Sequence, residues 1–174
     1  IELFVPYFPY ARQDRESIKG EAVSADILCG LLKEAGVKLL ITFDCHFLPR
    51  PGKFVKNGLK IENISAGPAL YRHAKNYFGK EKFIVISPDQ GSSYFIEYAK
   101  GKKHTGEHSS FSLDKKRKRH AEHGLELEVE EMKGGGDIKG KNVCILDDII
   151  ATGGTIMHAC SHLKKLGAKK VICG

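Results

Sequence analysis

No apolar run in the sequence approaches the roughly 18 residues that a membrane-spanning helix needs. No C-x-x-C pair occurs either, and the cysteines number five: Cys29, Cys45, Cys144, Cys160 and Cys173. Three of them (Cys29, Cys144, Cys173) sit in apolar runs, where a reduced cysteine behaves as a small hydrophobe. An odd count without paired spacing argues against a disulfide framework and for a reducing, cytoplasmic setting. No signal-peptide pattern opens the chain, and no internal repeat is visible. Hydrophobic residues at 41% and charged residues at 28% exclude a disordered or collagen-like chain. The 174 residues give room for one good core or two small lobes. There is no initiator Met. The chain begins in the strand-like run Ile1-Glu2-Leu3-Phe4-Val5 and stops in another, Val171-Ile172-Cys173-Gly174. Domains seldom begin and end inside an element, so an internal piece of a longer protein is expected.

Charge is unevenly spread. Lys plus Arg is 28 against 21 Asp plus Glu, a net +7. The densest basic run is Lys115-Lys116-Arg117-Lys118-Arg119-His120. No aromatic interleaves with it, so nucleic-acid binding, one reading of such a run, gains no support from aromatics. A solvated loop and a loop facing a polyphosphate both remain open.

Strand-like runs alternate with helical patterns. Residues 1–5, 37–43, 59–64, 83–87, 143–146 and the end of the chain read as strands. Residues 22–35, 66–78, 92–100 and 154–166 read as helices, the first with Ile27, Leu28, Leu31, Leu32 and Ala35 on one face and Gly36 as its stop. The polar stretch 101–136 reads as a hairpin or long loop, with Leu125 to Val129 alternating as a strand does. Such alternation predicts an α/β fold with a mainly parallel sheet.

The most particular string is Val143-Cys144-Ile145-Leu146-Asp147-Asp148-Ile149-Ile150-Ala151-Thr152-Gly153-Gly154-Thr155. An apolar strand runs into two carboxylates, a turn of small residues, then a helix. A helix N-terminus offers unpaired N–H groups and partial positive charge, which suits a phosphate monoester. Gly153 and Gly154 allow close approach and unusual torsions. Asp147 and Asp148 would repel phosphate, so sugar hydroxyls or a cation are their expected partners. This string resembles the phosphoribosyl pyrophosphate (PRPP) loop that type I phosphoribosyltransferases share with PRPP synthetases.

Four further strings follow the synthetase order. Pro6-Tyr7-Phe8-Pro9-Tyr10-Ala11-Arg12-Gln13-Asp14-Arg15 resembles a segment of ribose-phosphate pyrophosphokinases that phosphoribosyltransferases lack. Asp44-Cys45-His46 resembles that family's D-L-H strand end, with Cys45 for the usual Leu. Ser87-Pro88-Asp89-Gln90-Gly91 resembles its S-P-D-x-G turn. Leu113-Asp114-Lys115-Lys116-Arg117 resembles its catalytic-loop string. The resemblance implies lobes of the type I phosphoribosyltransferase kind, mainly parallel sheets flanked by helices. It implies a first lobe ending near residue 64 and a second over 65–174. It implies an enzyme, a ribose-phosphate diphosphokinase, making PRPP and AMP from ATP and ribose 5-phosphate with Mg2+. By the same resemblance Lys115 and Arg117 are catalytic. Arg12, Gln13 and Asp14 bind ATP. Asp44, His46 and Asp89 serve the metal. Asp147, Asp148, Ala151, Thr152, Gly153, Gly154 and Thr155 hold ribose 5-phosphate. Ala151 stands where many members carry Asp or Ser, and Lys116 competes with Lys115 in register. A dimer-based homo-oligomer, hexameric in many members, is implied too. The competing functions are a PRPP-consuming phosphoribosyltransferase and a catalytically weak, synthetase-like regulatory subunit.

Overall fold

A computed structural model describes residues 1–88, 93–101, 111–119, 125–133 and 138–174, with side chains in 1–88, 95–101 and 138–174. The chain divides into two compact units, Ile1–Ala66 and Gly67–Gly174.

The first unit holds β1 (Glu2–Phe4), α1 (Ser24–Glu34), β2 (Leu39–Phe43), β3 (Gly52–Lys56) and β4 (Leu59–Ile64). Its sheet runs β1-β2-β4-β3. β1 and β4 are parallel to β2, and β3 closes one edge antiparallel to β4. The core on one face is built from Phe8, Cys29, Val37, Leu40, Cys45, Leu48, Leu59 and Ile61. Cys45 lies just past β2 and is buried in that core, so its side chain fills space there.

α1 keeps part of the expected face: Leu28 and Leu32 pack half-buried on the core of the sheet. Ala25 and Cys29 complete that face, whereas Ile27 and Leu31 are 53% and 61% exposed. The helix is also tied down through Asp26, which pairs with Lys56 at 2.6 Å and whose carbonyl accepts from Asn57 Nδ2 at 2.8 Å. Gly36, at φ +87°, ends the helix as its position suggested. β3 was not anticipated. It is an edge strand with Val55 exposed, so it carries no inward apolar rhythm to read.

The second unit holds α2 (Gly67–Phe78), β5 (Phe83–Ser87), α3 (Ser93–Ala99), β6 (Phe111–Arg119), β7 (Leu125–Lys133), β8 (Asn142–Ile145), α4 (Gly154–Lys165) and β9 (Lys170–Cys173). The sheet order is β7-β6-β5-β8-β9. All neighbours are parallel except the β6–β7 hairpin. Strands β5 and β8 are apolar at nearly every position because both faces are covered. Ile86, Val143 and Ile145 pack with Ile156, Ala159 and Leu163 of α4. Val85, Cys144 and the following Leu146 pack with Ala74 and Phe78 of α2 and Phe95, Ile96 and Ala99 of α3.

The mainly parallel α/β architecture read from the sequence is present in both sheets. Among the described residues no helix is long and apolar enough to cross a membrane.

Candidate active site

In the second unit, β8 delivers the chain to Asp147 and Asp148 at the carboxyl edge of the sheet, the edge where α/β proteins bind ligands. Leu146 N–H still bonds Ile86 O at 3.0 Å, and Asp147 N–H bonds Gly174 O at 3.2 Å. The ladder therefore holds until the first carboxylate. Asp148 N–H then donates to Asp147 Oδ1 at 3.1 Å, and both side chains are half-buried. Gly153 takes φ +79°, the left-handed region that favours glycine. A Cβ built there meets no atom within 4 Å, so torsion and not crowding selects glycine. The first intrahelical bond of α4 runs from Met157 N–H to Gly153 O at 2.8 Å. The N–H groups of Gly154, Thr155 and Ile156 precede it, at the positive end of the helix. Gly154 N–H also approaches Thr152 Oγ1 at 3.5 Å. Ala151 and Thr152 are exposed, and Thr155 is half-buried. Seven residues expected around ribose 5-phosphate are thus brought together on one strand–turn–helix.

β5 ends at the same edge with buried Ser87 and Pro88. Asp89, expected at the metal, lies outside the described residues. β6 pairs with β5 only at Ile86↔Phe111 and Ser87↔Ser112, and then continues beyond that edge. Lys115 is three residues further, about 10 Å along the strand, followed by Arg117. The basic string thus lies on a strand of a hairpin, with an irregularity between Asp114 and Lys115. Its register sets Lys116 opposite Glu128 and Lys118 opposite Glu126, while Lys115 and Arg117 stand opposite Val129 and Leu127. The side chains of this hairpin are outside the described set.

In the first unit, the loops leaving β1 and β2 meet at the carboxyl edge of their sheet. The ring of Phe8 stands edge-on to that of Phe47, centroids 5.5 Å apart. Phe43 N–H bonds Pro6 O at 3.3 Å. Beyond Phe8, Ala11 anchors in the core, Arg12 and Gln13 are exposed, and Asp14 is half-buried. Gln13 O accepts from Ala25 N–H at 3.2 Å, tying this segment to the start of α1. Asp44 is buried at φ +36°, a torsion that Asp tolerates better than most residues. Its Oδ2 accepts from Ala66 N–H at 2.6 Å. His46 is exposed on the next turn.

Sequence reasoning overlooked Asn63. It is 2% exposed, and its amide bonds the loop carrying His46 at two points. The available signal was a lone Asn at a core-facing position of an alternating strand, which must find hydrogen-bond partners.

Among the described residues no group of three His, Cys, Asp or Glu side chains is placed to hold a metal. One groove of the second unit, about 790 Å³, lies at the opposite edge of the sheet. Lined by Glu81, Lys82, Lys141, Asn142 and Lys169 where strands begin, it has no part in the Asp147–Thr155 loop.

The strand–turn–helix with its paired carboxylates and left-handed glycine belongs to a known class. The chain is a member of the phosphoribosyl transferase domain family, whose match covers residues 60–174. Its relatives narrow the class. Ribose-phosphate pyrophosphokinase of Bradyrhizobium diazoefficiens is 34% identical over 171 residues, covering 98% of this chain and 50% of the relative. The protein of that name from Staphylococcus epidermidis is 33% identical over 173 residues, covering 98% and 50%. The crystal structure of phosphoribosylpyrophosphate synthetase from Mycobacterium smegmatis superposes with a TM-score of 0.71 at 28% identity, over 99% of this chain and 52% of that one. The chain thus spans about half the length of the curated relatives it matches.

Proposed function

We propose that the chain is part of a ribose-phosphate diphosphokinase. The reaction is transfer of the β,γ-diphosphoryl group of MgATP to the anomeric hydroxyl of ribose 5-phosphate. The anomeric oxygen attacks the β-phosphorus and gives up its proton to solvent. The bond from that phosphorus to the α,β-bridging oxygen breaks, and AMP leaves with that oxygen. PRPP is the other product. The observation that carries this reading is the Asp147–Thr155 loop, combined with the Tyr10–Arg15 segment that PRPP-consuming enzymes lack.

The residues take these roles. N–H groups of Gly154, Thr155 and Ile156, with the hydroxyls of Thr152 and Thr155, receive the 5-phosphate. Asp147 and Asp148 hold the ribose hydroxyls, and Ala151 borders them. Arg12, Gln13 and Asp14 hold ATP, Arg12 by stacking or bidentate phosphate contact. Lys115 and Arg117 neutralise the transferring group, in chemistry that rests on positioning and charge.

Mg2+ would draw phosphate oxygens together and take up charge. His46 is exposed on the turn after β2 and is read as its contact there; Asp89, read as a further metal residue, lies outside the described residues. Asp44 is buried and engaged by Ala66 N–H, so its part is to shape the turn that presents His46. Such a donor set fits an ion that keeps most ligands from phosphate and water. Residues 1–64 are read as the end of a first lobe and 65–174 as the second. The working form is a cytoplasmic homo-oligomer that binds neither membrane nor nucleic acid.

Incubating the full-length protein with MgATP and ribose 5-phosphate tests the reading. AMP and PRPP should appear in equal amounts. PRPP consumption with a base, and no AMP, would instead make it a phosphoribosyltransferase. Nucleotide binding without turnover would make it a regulatory subunit. The native mass tests the oligomer.

A further inference from the structure

We propose that Asn63 is a positioning residue for the loop that presents His46, and hence for nucleotide–metal binding at the first unit. The proposal rests on the reading of His46 as a MgATP contact.

Asn63 is the penultimate residue of β4 and stands opposite Thr42 of β2. Its side chain is buried and points toward the loop that follows β2. Oδ1 accepts from Cys45 N–H at 2.9 Å, and Nδ2 donates to Arg50 O at 3.0 Å. One amide therefore bridges the two ends of a six-residue loop. The assignment of O and N is fixed by these partners, because the reverse would set donor against donor and acceptor against acceptor. Asn alone at this length combines an acceptor with a donor; Asp offers acceptors only and Leu offers neither.

A second tie acts just before the loop. Asp44 N–H bonds Ile64 O at 3.0 Å while its Oδ2 takes Ala66 N–H at 2.6 Å. Within the loop Cys45 and Leu48 are buried and Phe47 packs on Phe8, while His46 faces solvent. The backbone on both sides of one exposed imidazole is thus held by buried polar groups. Core stability alone would be met by an apolar side chain at position 63. The amide adds a fixed direction for the residue between its two partners.

The test uses Asn63→Asp and Asn63→Leu in the full-length protein, with Ile61→Val as a control that weakens the same core while keeping both hydrogen bonds of the Asn63 amide. The first readout is the His46 ring signal in carbon–proton NMR spectra, assigned with His46→Gln. Wild type and Ile61→Val should give one narrow signal, and the Asn63 variants a broadened or split one. The second is its paramagnetic broadening by Mn2+ with ATP, where the Asn63 variants should need about 10-fold more complex, as other residues that orient metal ligands do. The KM for MgATP should rise by about the same factor, with kcat nearly unchanged. A His46 signal and KM that stay at wild-type values in a folded Asn63 variant would overturn the proposal. So would changes that Ile61→Val reproduces at equal loss of stability. If Asn63→Leu fails to fold, Asn63→Asp decides, since it keeps the Cys45 bond and loses only the Arg50 one. If Mn2+ with ATP leaves wild-type His46 unbroadened, the MgATP reading fails, and the splitting of the ring signal still decides the positioning role.

Discussion

Glu81 Oε2 receives two hydrogen bonds, from Asn142 Nδ2 at 2.6 Å and Lys169 Nζ at 2.8 Å. One carboxylate oxygen thereby joins the turn before β5 to the starts of β8 and β9. The Lys169 bond first, and the Asn142 bond second, hold this carboxyl below the usual carboxylate range. A depressed folded pKa favours the ionised native state. The contribution is therefore present above the ordinary Glu value and lost as pH falls through the folded one. Glu81→Gln should lower the urea midpoint at pH 7. The gap to wild type should narrow in acid, as pH falls through the lowered folded value and both side chains become neutral. A gap of equal size at pH 7 and in acid would refute the ionic account.

Gly153 should tolerate other residues unevenly. At φ +79° with open space around the missing Cβ, alanine pays about 1–2 kcal/mol in torsion alone. Asparagine visits this region readily. Thermal melts should therefore show Gly153→Ala clearly destabilised and Gly153→Asn close to wild type. Ribose 5-phosphate binding, followed by calorimetry, should weaken in both. On the proposed reading, a change in the torsions of residue 153 displaces the N–H groups that would receive the phosphate.

Thr42 is fully buried on β2, and its hydroxyl has no hydrogen-bond partner among the described residues. A stranded buried hydroxyl costs on the order of 1 kcal/mol or more. Thr42→Val keeps the shape and removes the polar atom. It should raise the urea midpoint, or leave it unchanged where a water serves the hydroxyl. Loss of stability would mean an unseen partner.

What was legible in the sequence follows from how local each feature is. The Asp147–Thr155 loop was readable because strand, carboxylates, turn and helix start are contiguous and share one role. The alternation of β5, α3, β8 and α4 was readable for the same reason. The buried face of α1 was readable in part: Leu28 and Leu32 pack on the core, but hydropathy ranks Ile27 and Leu31 above Ala25 and Cys29, which are the fully buried ones. β3 was hidden between Pro51 and an Asn-Gly turn, with lysines along an exposed edge. Asn63 was hidden differently: its partners lie 18 and 13 residues away, and only the sheet brings them together.

The cysteines divide by burial. Desolvation pushes the Cys144 thiol up to about 12, so at pH 8 it is neutral as well as enclosed. Cys173 is exposed in this chain. Alkylation with iodoacetamide at pH 8 should label Cys173 first, and Cys144 only after denaturant is added. Mass spectrometry of digests reads the order. Labelling of native Cys144 at the rate of Cys173 would mean that the β5–β8 core opens readily.

On the proposed reading one lysine of the Lys115-Lys116 pair is catalytic. The register of the hairpin sets Lys116 opposite Glu128 and Lys115 opposite Val129. The resemblance of the string to the family's catalytic loop gives the role to Lys115. Lys115→Ala in the full-length protein should lower kcat by about 10²–10³, the scale of losing one preorganised charge donor. Ribose 5-phosphate affinity should stay within about twofold, because the proposed reading assigns that substrate to the Asp147–Thr155 loop and not to Lys115. Lys116→Ala should lower kcat far less. Steady-state kinetics beside a urea melt read both, and the reverse pattern would move the role to Lys116.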